Sequence, residues 1–487
     1  MNRKLIIRLL GAMLAIVALA MIPSLLLALY FGDGDAAVLA ECCGGLLIPG
    51  ALLWFLVRPG AGATHLRLRE GFLVVGLGWL VLSVGGALPF FFSGIFPRFE
   101  DALFESVSGF TTTGATVLTQ FEDFPRGIMF WRATTHWVGG MGVLMLTLAL
   151  LPKLTGRTSH LVRAESPGPS LSKLVPHTGT TAKILYRIYI LLTFIEFLSL
   201  LLCGLNAYDA ALHSLSTAGT GGFSNYADSV GGLHNPAAEA VITAFMFFFG
   251  VNFALYYRFL ISSPKEKLFS FLRDEEFRWY LSLVAFMVIT LTVLNLPFYE
   301  NSFLRSFRYS AFMLCSITST TGFCTANFNL WPVASQTLVV VAMLIGACAG
   351  STAGGIKVIR VLLAYKTARR AVRSTDQPKK VQVVRLDGKA VEESMLTQIS
   401  VFITIYVSLV VLGGFLLSLE GKFAAMDHFS AALTCVSNVG PAFGAVASDF
   451  AGYGPFGKLL CCFLMLAGRL ELFPMLILFT RSAWKSR

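Results

Sequence analysis

The chain has 487 residues, of which 55% are hydrophobic and only 13% charged, and its formal net charge is +11. Soluble chains carry about 25% charged residues, so a water-soluble enzyme is excluded. A nucleic-acid binder is excluded too, because the lysines and arginines recur in short segments between apolar runs, where they orient helices in a bilayer.

The first apolar run, Leu5 to Phe31, follows a basic start at Arg3 and Lys4 and imitates a signal peptide, with Ala18, Leu19 and Ala20 as a cleavage-like triplet. Its hydrophobicity continues to Tyr30, past the length of a signal h-region, which predicts a retained anchor. A second run, Ala36 to Val57, completes a transmembrane hairpin within 1–70. Further runs then come in pairs: 72–95 and 129–151, 184–206 and 236–260, 279–298 and 335–365, 397–419 and 457–480. Each is long enough, at 1.5 Å per residue, to cross about 30 Å of hydrocarbon, giving about ten crossings. The pairs divide the chain into repeat one (71–155), linker and repeat two (156–262), repeat three (263–390) and repeat four (391–487). The nine cysteines show no CxxC spacing, which argues against a disulfide framework or a zinc site.

Loops alternate in charge. One set carries Arg3 and Lys4, Arg58 to Arg69, Lys153 to Lys173, Arg258 to Arg278, Lys366 to Lys389, and Arg481 to Arg487. The other is acidic, with Asp33, Asp35, Glu100, Asp101, Glu122, Asp123, Asp209, Asp228, Glu300, Glu420, Asp427 and Asp449. The basic set faces the cytoplasm by the positive-inside rule, and both termini with it.

Within each acidic-side connection lies a segment too polar for a membrane helix and too apolar for a loop. The four copies are 108–116 (SGFTTTGAT), 216–224 (STAGTGGFS), 316–324 (SITSTTGFC) and 434–442 (TCVSNVGPA). A hydroxylated residue stands six positions before the glycine in every copy, and Asp101, Asp209 and Asp427 stand thirteen before it, as expected helix N-caps. Only the third copy differs, with Tyr309. The glycines are 108, 100 and 118 residues apart, so one unit of helix, short helix, glycine turn and helix recurs four times.

A helix of about ten residues cannot cross a bilayer, and non-helical backbone at that depth must line a watery cavity. Glycine permits positive φ and close approach. Four such turns about one axis make a ring of carbonyls able to replace a cation's water shell, with the negative ends of four short helices aimed at the ion. The predicted filter residues are Thr112, Thr113, Gly114, Thr220, Gly221, Gly222, Thr320, Thr321, Gly322, Asn438, Val439 and Gly440. The competing reading, ordinary small-residue helix packing, suits one such segment better than four at equivalent places. The expected fold is an all-α integral membrane protein: four helix, pore helix, helix repeats around one pore, plus the hairpin.

These segments, the run 137–142 (WVGGMG), the linker 164–169 (AESPGP), the run 350–357 (GSTAGGIK) and 468–473 (GRLELF) resemble the Trk/Ktr/HKT superfamily of cation transporters, most closely the membrane subunits of bacterial Trk potassium uptake systems. The resemblance covers nearly the whole chain. It implies potassium uptake across the bacterial inner membrane with potassium bound at the filter and no prosthetic cofactor, and a homodimer with one pore per subunit. It also implies gating by a cytoplasmic nucleotide-binding regulatory ring of the TrkA kind. Coupling to protons or sodium, as in a symporter, is the alternative. Two positions depart from the family pattern: Ala353 and Ala442 stand where glycine is usual.

The run 346–355 interrupts an apolar segment with small residues, which predicts a broken helix, since each glycine costs up to about 1 kcal/mol relative to alanine. The resemblance makes this a gate loop below the filter: Gly346, Gly350, Ser351, Thr352, Gly354 and Gly355, with Lys357 and Arg360 coupling it to the cytoplasmic side. Close packing through small residues is the competing reading. A loop of small residues is expected to be held by backbone packing and not by strong side-chain bonds. Arg469 lies well inside the apolar run Leu459 to Phe479, so it should face the pore, where the resemblance makes it an electrostatic barrier. Glu471 is a poor partner for it, because i and i+2 diverge on a helix.

Glu196 is expected to be a hydrogen-bonded structural group, and the pore-helix histidines His213 and His428 likewise. The seven histidines have no ligand spacing. An intramembrane enzyme would need a convergent acid, base or nucleophile set, and a carrier with a pocket between repeats usually shows two repeats.

Overall fold

The computed structural model describes residues 3–58, 68–121, 124–142, 178–262, 271–377 and 382–480. The linker at 164–169, the end of the apolar run 129–151 and the basic residues from Lys153 to Lys173 lie outside them. Two antiparallel helices, α1 (Arg3–Phe31) and α2 (Ala36–Leu56), form the amino-terminal hairpin. Asp33 and Asp35 at its tip accept from the backbone N–H groups of Arg126 (3.1 Å) and Ile128 (2.9 Å). Those amides open the helix α5 (Arg126–Gly140) and have no partner within it, so the hairpin caps the first repeat.

Four repeats follow. The first holds α3 (Leu68–Phe92), the short α4 (Phe99–Phe110) and α5; the second α6 (Thr178–Leu202), the short α7 (Ala207–Gly219), α8 (Pro236–Phe249) and α9 (Phe253–Ile261). The third holds α10 (Glu275–Asn295), the short α11 (Phe303–Thr318), α12 (Val333–Leu344) and α13 (Val358–Asp376). The fourth holds α14 (Glu393–Ser418), the short α15 (Ala425–Ser437), α16 (Pro455–Arg469) and α17 (Phe473–Leu478). The fold is the all-α membrane architecture anticipated, with a two-stranded hairpin, Arg385–Leu386 paired with Lys389–Ala390, beyond α13. Each short helix is amphipathic and sinks its apolar face among the longer helices, with Phe104, Phe110, Leu212, Phe312 and Leu433 buried.

The ten apolar runs do not all form single long helices. Among the described residues, six helices are long and apolar enough to span a bilayer, the first helix of every repeat and the two of the hairpin. The second helices of repeats two, three and four are interrupted. α8 and α9 meet at 89°, because Asn252 turns its side chain to accept from Ala254 N–H (2.9 Å) and starts a new helix. α12 and α13 are separated by 345–357, and α16 stops at Arg469 before Glu471 and Leu472 turn left-handed (φ 50° and 70°). The length of an apolar run does not register such breaks, since the residues on both sides stay apolar.

The expected N-caps also move. Arg98, Asn206 and Ala424 occupy the cap positions, and Asp101, Asp209 and Asp427 sit in the first turn. There they join the pore helices to other elements. Asp209 and Asn206 bond reciprocally, Asn206 Oδ1 accepting from Asp209 N–H and Asn206 Nδ2 donating to Asp209 Oδ2, both at 2.8 Å. Asp101 pairs with Lys458 of α16, joining repeats one and four. Across the gap between repeats two and three, Arg308 of α11 forks onto Glu239 of α8 at 2.6 and 2.7 Å.

Candidate functional site

Every short helix ends in the same backbone motif. Thr112, Thr220, Thr320 and Asn438 have φ of 55°, 55°, 56° and 55°, and the next residue in each case donates its N–H five positions back. The pairs are Thr113 to Ser108 O (2.9 Å), Gly221 to Ser216 O (2.9 Å), Thr321 to Ser316 O (2.8 Å) and Val439 to Thr434 O (3.1 Å). This is the 6→1 bond of a Schellman termination, which holds one residue left-handed against its usual preference. In each copy the accepting carbonyl belongs to the hydroxylated residue six positions before the glycine.

Glycine follows at 114, 222, 322 and 440, again with positive φ (78°, 77°, 81° and 103°). A Cβ on Gly114 would stand well inside 3.0 Å of Gly221 O, one on Gly222 equally close to Thr321 O, one on Gly322 to Val439 O, and one on Gly440 to Thr113 O. The contacts run 1→2→3→4→1, so the four turns close a ring in chain order. Glycine is required twice over, by the sign of φ and by the neighbouring carbonyl. All four glycines line one cavity of about 700 Å³.

Side chains behind the ring fix it in place. Glu105 of α4 is completely buried and receives Arg132 Nε (2.7 Å), Thr116 Oγ1 (3.0 Å) and Val117 N–H (3.2 Å). Arg132 also donates to Ser224 O (3.1 Å) and lies 3.9 Å over the Phe223 ring. One buried ion pair thus ties the strand after turn one to the strand after turn two, and Asn438 Nδ2 ties turn four to Thr113 Oγ1 (3.0 Å). Sequence reasoning missed Glu105 and Arg132, although an acid in a short helix and a base in the next apolar run were a visible signal. His136 was also passed over; its ring packs against Gly221.

Loop 345–357 leaves α12 and returns to α13 through Gly346 N–H to Ile356 O (2.8 Å) and Val358 N–H to Ala347 O (3.1 Å). It carries the predicted interruption, and Gly350 and Gly355 are left-handed there (φ 71° and 67°). The loop reaches the ring directly: Gly354 N–H donates to Thr320 Oγ1 (2.7 Å), and a Cβ on Gly354 would crowd Ser437 O and Asn438. Ser351 folds back on Cys348 O (2.6 Å), and Thr352 donates to Phe249 O (3.3 Å) at the end of α8. Lys357 donates to Ala353 O.

The idea that backbone packing alone holds this loop is overturned. Arg469 donates to Thr352 O (2.7 Å) and to Gly139 O and Gly140 O (2.6 Å each), and Glu276 accepts from Ala349 N–H (2.5 Å). Charged side chains supply the fastenings because the loop's own residues are too small to do so. Arg469 itself stands at the end of α16, not in the middle of a span. It reaches one carbonyl in the loop, Thr352 O, and two in the last turn of α5, Gly139 O and Gly140 O, joining the two elements. Glu471 pairs with Arg360, whose guanidinium lies 3.9 Å over the Phe402 ring.

Ala353 and Ala442 are buried and neither is among the left-handed residues, so these positions do not demand glycine for φ. His213 bonds Asp209 O (2.8 Å) and Ser224 Oγ (3.1 Å), and His428 bonds Tyr453 Oη (3.0 Å), as structural groups. Glu196 is fully buried with the Thr217 side chain as its polar neighbour. Thr217 donates its hydroxyl proton to His213 O (2.7 Å).

Residues 44–486 match the family model TrkH, cation transport protein. The chain is 36% identical over 490 residues to the Trk system potassium uptake protein TrkH of Escherichia coli K12, with 100% of both chains covered. It is 32% identical over 488 residues to the Trk system potassium uptake protein TrkG of that organism, covering 98% of this chain and 97% of TrkG. The crystal structure of the potassium transporter TrkH from Vibrio parahaemolyticus superposes with a TM-score of 0.89 at 32% identity, over 100% of both chains.

Proposed function

This chain belongs to the TrkH family of cation transport proteins, membrane transporters of Trk potassium uptake systems and not enzymes, and from that premise we propose that it passes potassium through the glycine ring. The cyclic contacts 114–221, 222–321, 322–439 and 440–113 carry this reading. On this reading the filter is Thr112, Thr113, Gly114, Thr220, Gly221, Gly222, Thr320, Thr321, Gly322, Asn438, Val439 and Gly440, of which the four glycines line one cavity. Potassium is the substrate: it sheds water against backbone carbonyls, and the negative C-terminal ends of the four short helices lower the cost of bringing a cation there.

Below the ring, loop 345–357 and Arg469 form the gate. Gly346, Gly350, Ser351, Thr352, Gly354 and Gly355 occupy the path, Arg469 adds a cationic barrier, and α13 with Lys357 carries displacement from the basic face. The chain works in the bacterial inner membrane as a homodimer with both termini cytoplasmic, and a nucleotide-binding regulatory ring of the TrkA kind acts on α13. The repeat boundaries proposed above fit this division into four quarters around one pore.

Expression in a strain lacking potassium uptake systems tests the proposal. Growth at micromolar potassium should be rescued, more strongly with a ring partner than without one. No rescue by a protein that reaches the membrane would contradict it.

A further inference from the structure

His136 on α5 is fully buried and stands behind the second turn, outside the residues lining the cavity. Its Nδ1 lies 2.8 Å from Gly109 O, and its Nε2 lies 3.2 Å from Phe223 N. A carbonyl can only accept and an amide N–H can only donate, so the ring is the neutral tautomer with its proton on Nδ1 and a bare Nε2. The imidazole also packs on the Cα of Gly221 and lies 4.0 Å from the Phe223 ring, centroid to centroid. The second turn is therefore wrapped around this one side chain.

The consequence follows from peptide planarity. The Gly222 carbonyl and the Phe223 N–H belong to one trans peptide and point in opposite directions. An N–H pulled back onto His136 turns the Gly222 carbonyl away from α5, toward the cavity that Gly222 lines. The other repeats lack this arrangement. Pro441 at the equivalent place in repeat four has no N–H to offer, and among the described residues no side chain accepts from Ala115 or Phe323.

We propose that His136 is a specificity-determining positioning residue: by accepting the Phe223 N–H it fixes the Gly222 carbonyl in the ion path, so that discrimination between potassium and sodium depends on it. This rests on the reading of the glycine ring as the filter.

Two substitutions separate the bond from the bulk of the ring. His136→Asn keeps a donor near the Nδ1 position for Gly109 O but leaves nothing to accept from Phe223, whereas His136→Gln places an oxygen near the Nε2 position. In proteoliposomes, sodium competition against rubidium tracer uptake should show His136→Asn losing roughly five- to tenfold in discrimination, the range of one net hydrogen bond, with His136→Gln close to wild type. Full discrimination in a transporting His136→Asn variant, or an equal loss in both variants, overturns the proposal. Gly222→Ser serves as the control: if it too leaves discrimination unchanged, the filter reading itself falls and the role of His136 with it. Should His136→Asn not fold, 15N NMR of the histidine-labelled wild-type protein still decides, since a His136 proton found on Nε2 instead of Nδ1 excludes the bond.

Discussion

At the glycine ring all four repeats use one backbone: a left-handed residue at φ of 55° or 56°, then a glycine two positions on at 77° to 103°. On the other side of that ring their second helices part company. α5 stops at Gly140, α8 and α9 bend by 89°, α12 and α13 are separated by a thirteen-residue loop at 345–357, and α16 ends at Arg469. A cation stripped of water needs oxygens all around it, which forces the quarters to be alike. A closure needs only one quarter to reach across the axis and another to hold it, which favours quarters that differ. Under the gate proposed above, loop 345–357 is the element that reaches, and Arg469 of repeat four bonds both its Thr352 carbonyl and the Gly139 carbonyl at the end of α5.

The comparison breaks most severely if a glycine of the ring tolerates a side chain. Gly114→Ser sets a Cβ against Gly221 O, and the carbonyl must swing off the axis. Potassium over sodium discrimination should fall at least tenfold, a change of about 1.4 kcal/mol, measured by sodium competition in tracer uptake. Unchanged competition would mean that the ring is structural.

Deleting Gly350 to Gly355 removes the Thr352 carbonyl that Arg469 grips. Permeation should become high and largely independent of a ring partner, with discrimination intact because the glycines are untouched. A well-folded deletion that conducts less, or that depends on the partner as before, would make the loop a packing element.

Arg469→Ala should have a smaller effect of the same sign. It removes charge-assisted bonds to three carbonyls, each worth about 1.5–3 kcal/mol, and a repulsion of about 1 kcal/mol for potassium at about 4 Å in a water-filled path. Flux should rise severalfold in liposomes, and flux unchanged or reduced in a folded variant would place the guanidinium outside the ion path.

Much of the like half was legible in the sequence, and the unlike half much less so. Repetition made the four turns visible, since Ser108, Ser216, Ser316 and Thr434 stand at one distance from their glycines. The loop at 346–355 was legible because small residues break an apolar run. The other breaks were not, because Gly140, Gly250 and Arg469 sit in runs that stay apolar on either side of them. Glu105 and Arg132 left a visible signal that went unread, but the fastening of Glu276 was illegible, since spacing along one chain says nothing about a carboxylate meeting an amide 73 residues away.

The smallest predicted effect lies outside the membrane. Glu420, after α14, accepts the N–H groups of Gly454 and Gly457 at 2.7 Å each and lies beside Lys422. Burial disfavours its ionised form, but the two amides and the ammonium outweigh that and hold the carboxyl below its ordinary range. Its stabilisation is therefore present above the unfolded value of about 4.3 and is lost as pH falls through the lower folded value. Glu420→Gln should lower stability by about 1 kcal/mol at neutral pH, and the difference in thermal midpoint from wild type should shrink as the pH is taken below about 4. A difference that stays constant with pH would remove the charge from the explanation.

A shared ring requires the equivalence of the four turns. Bi-ionic reversal potentials in planar bilayers, taken for the wild type and for serine at 114, 222, 322 and 440 in turn, measure it. Each single substitution should move the reversal potential toward that of a pore indifferent to potassium and sodium; a shift at one turn with wild-type potentials at the others would contradict a shared ring.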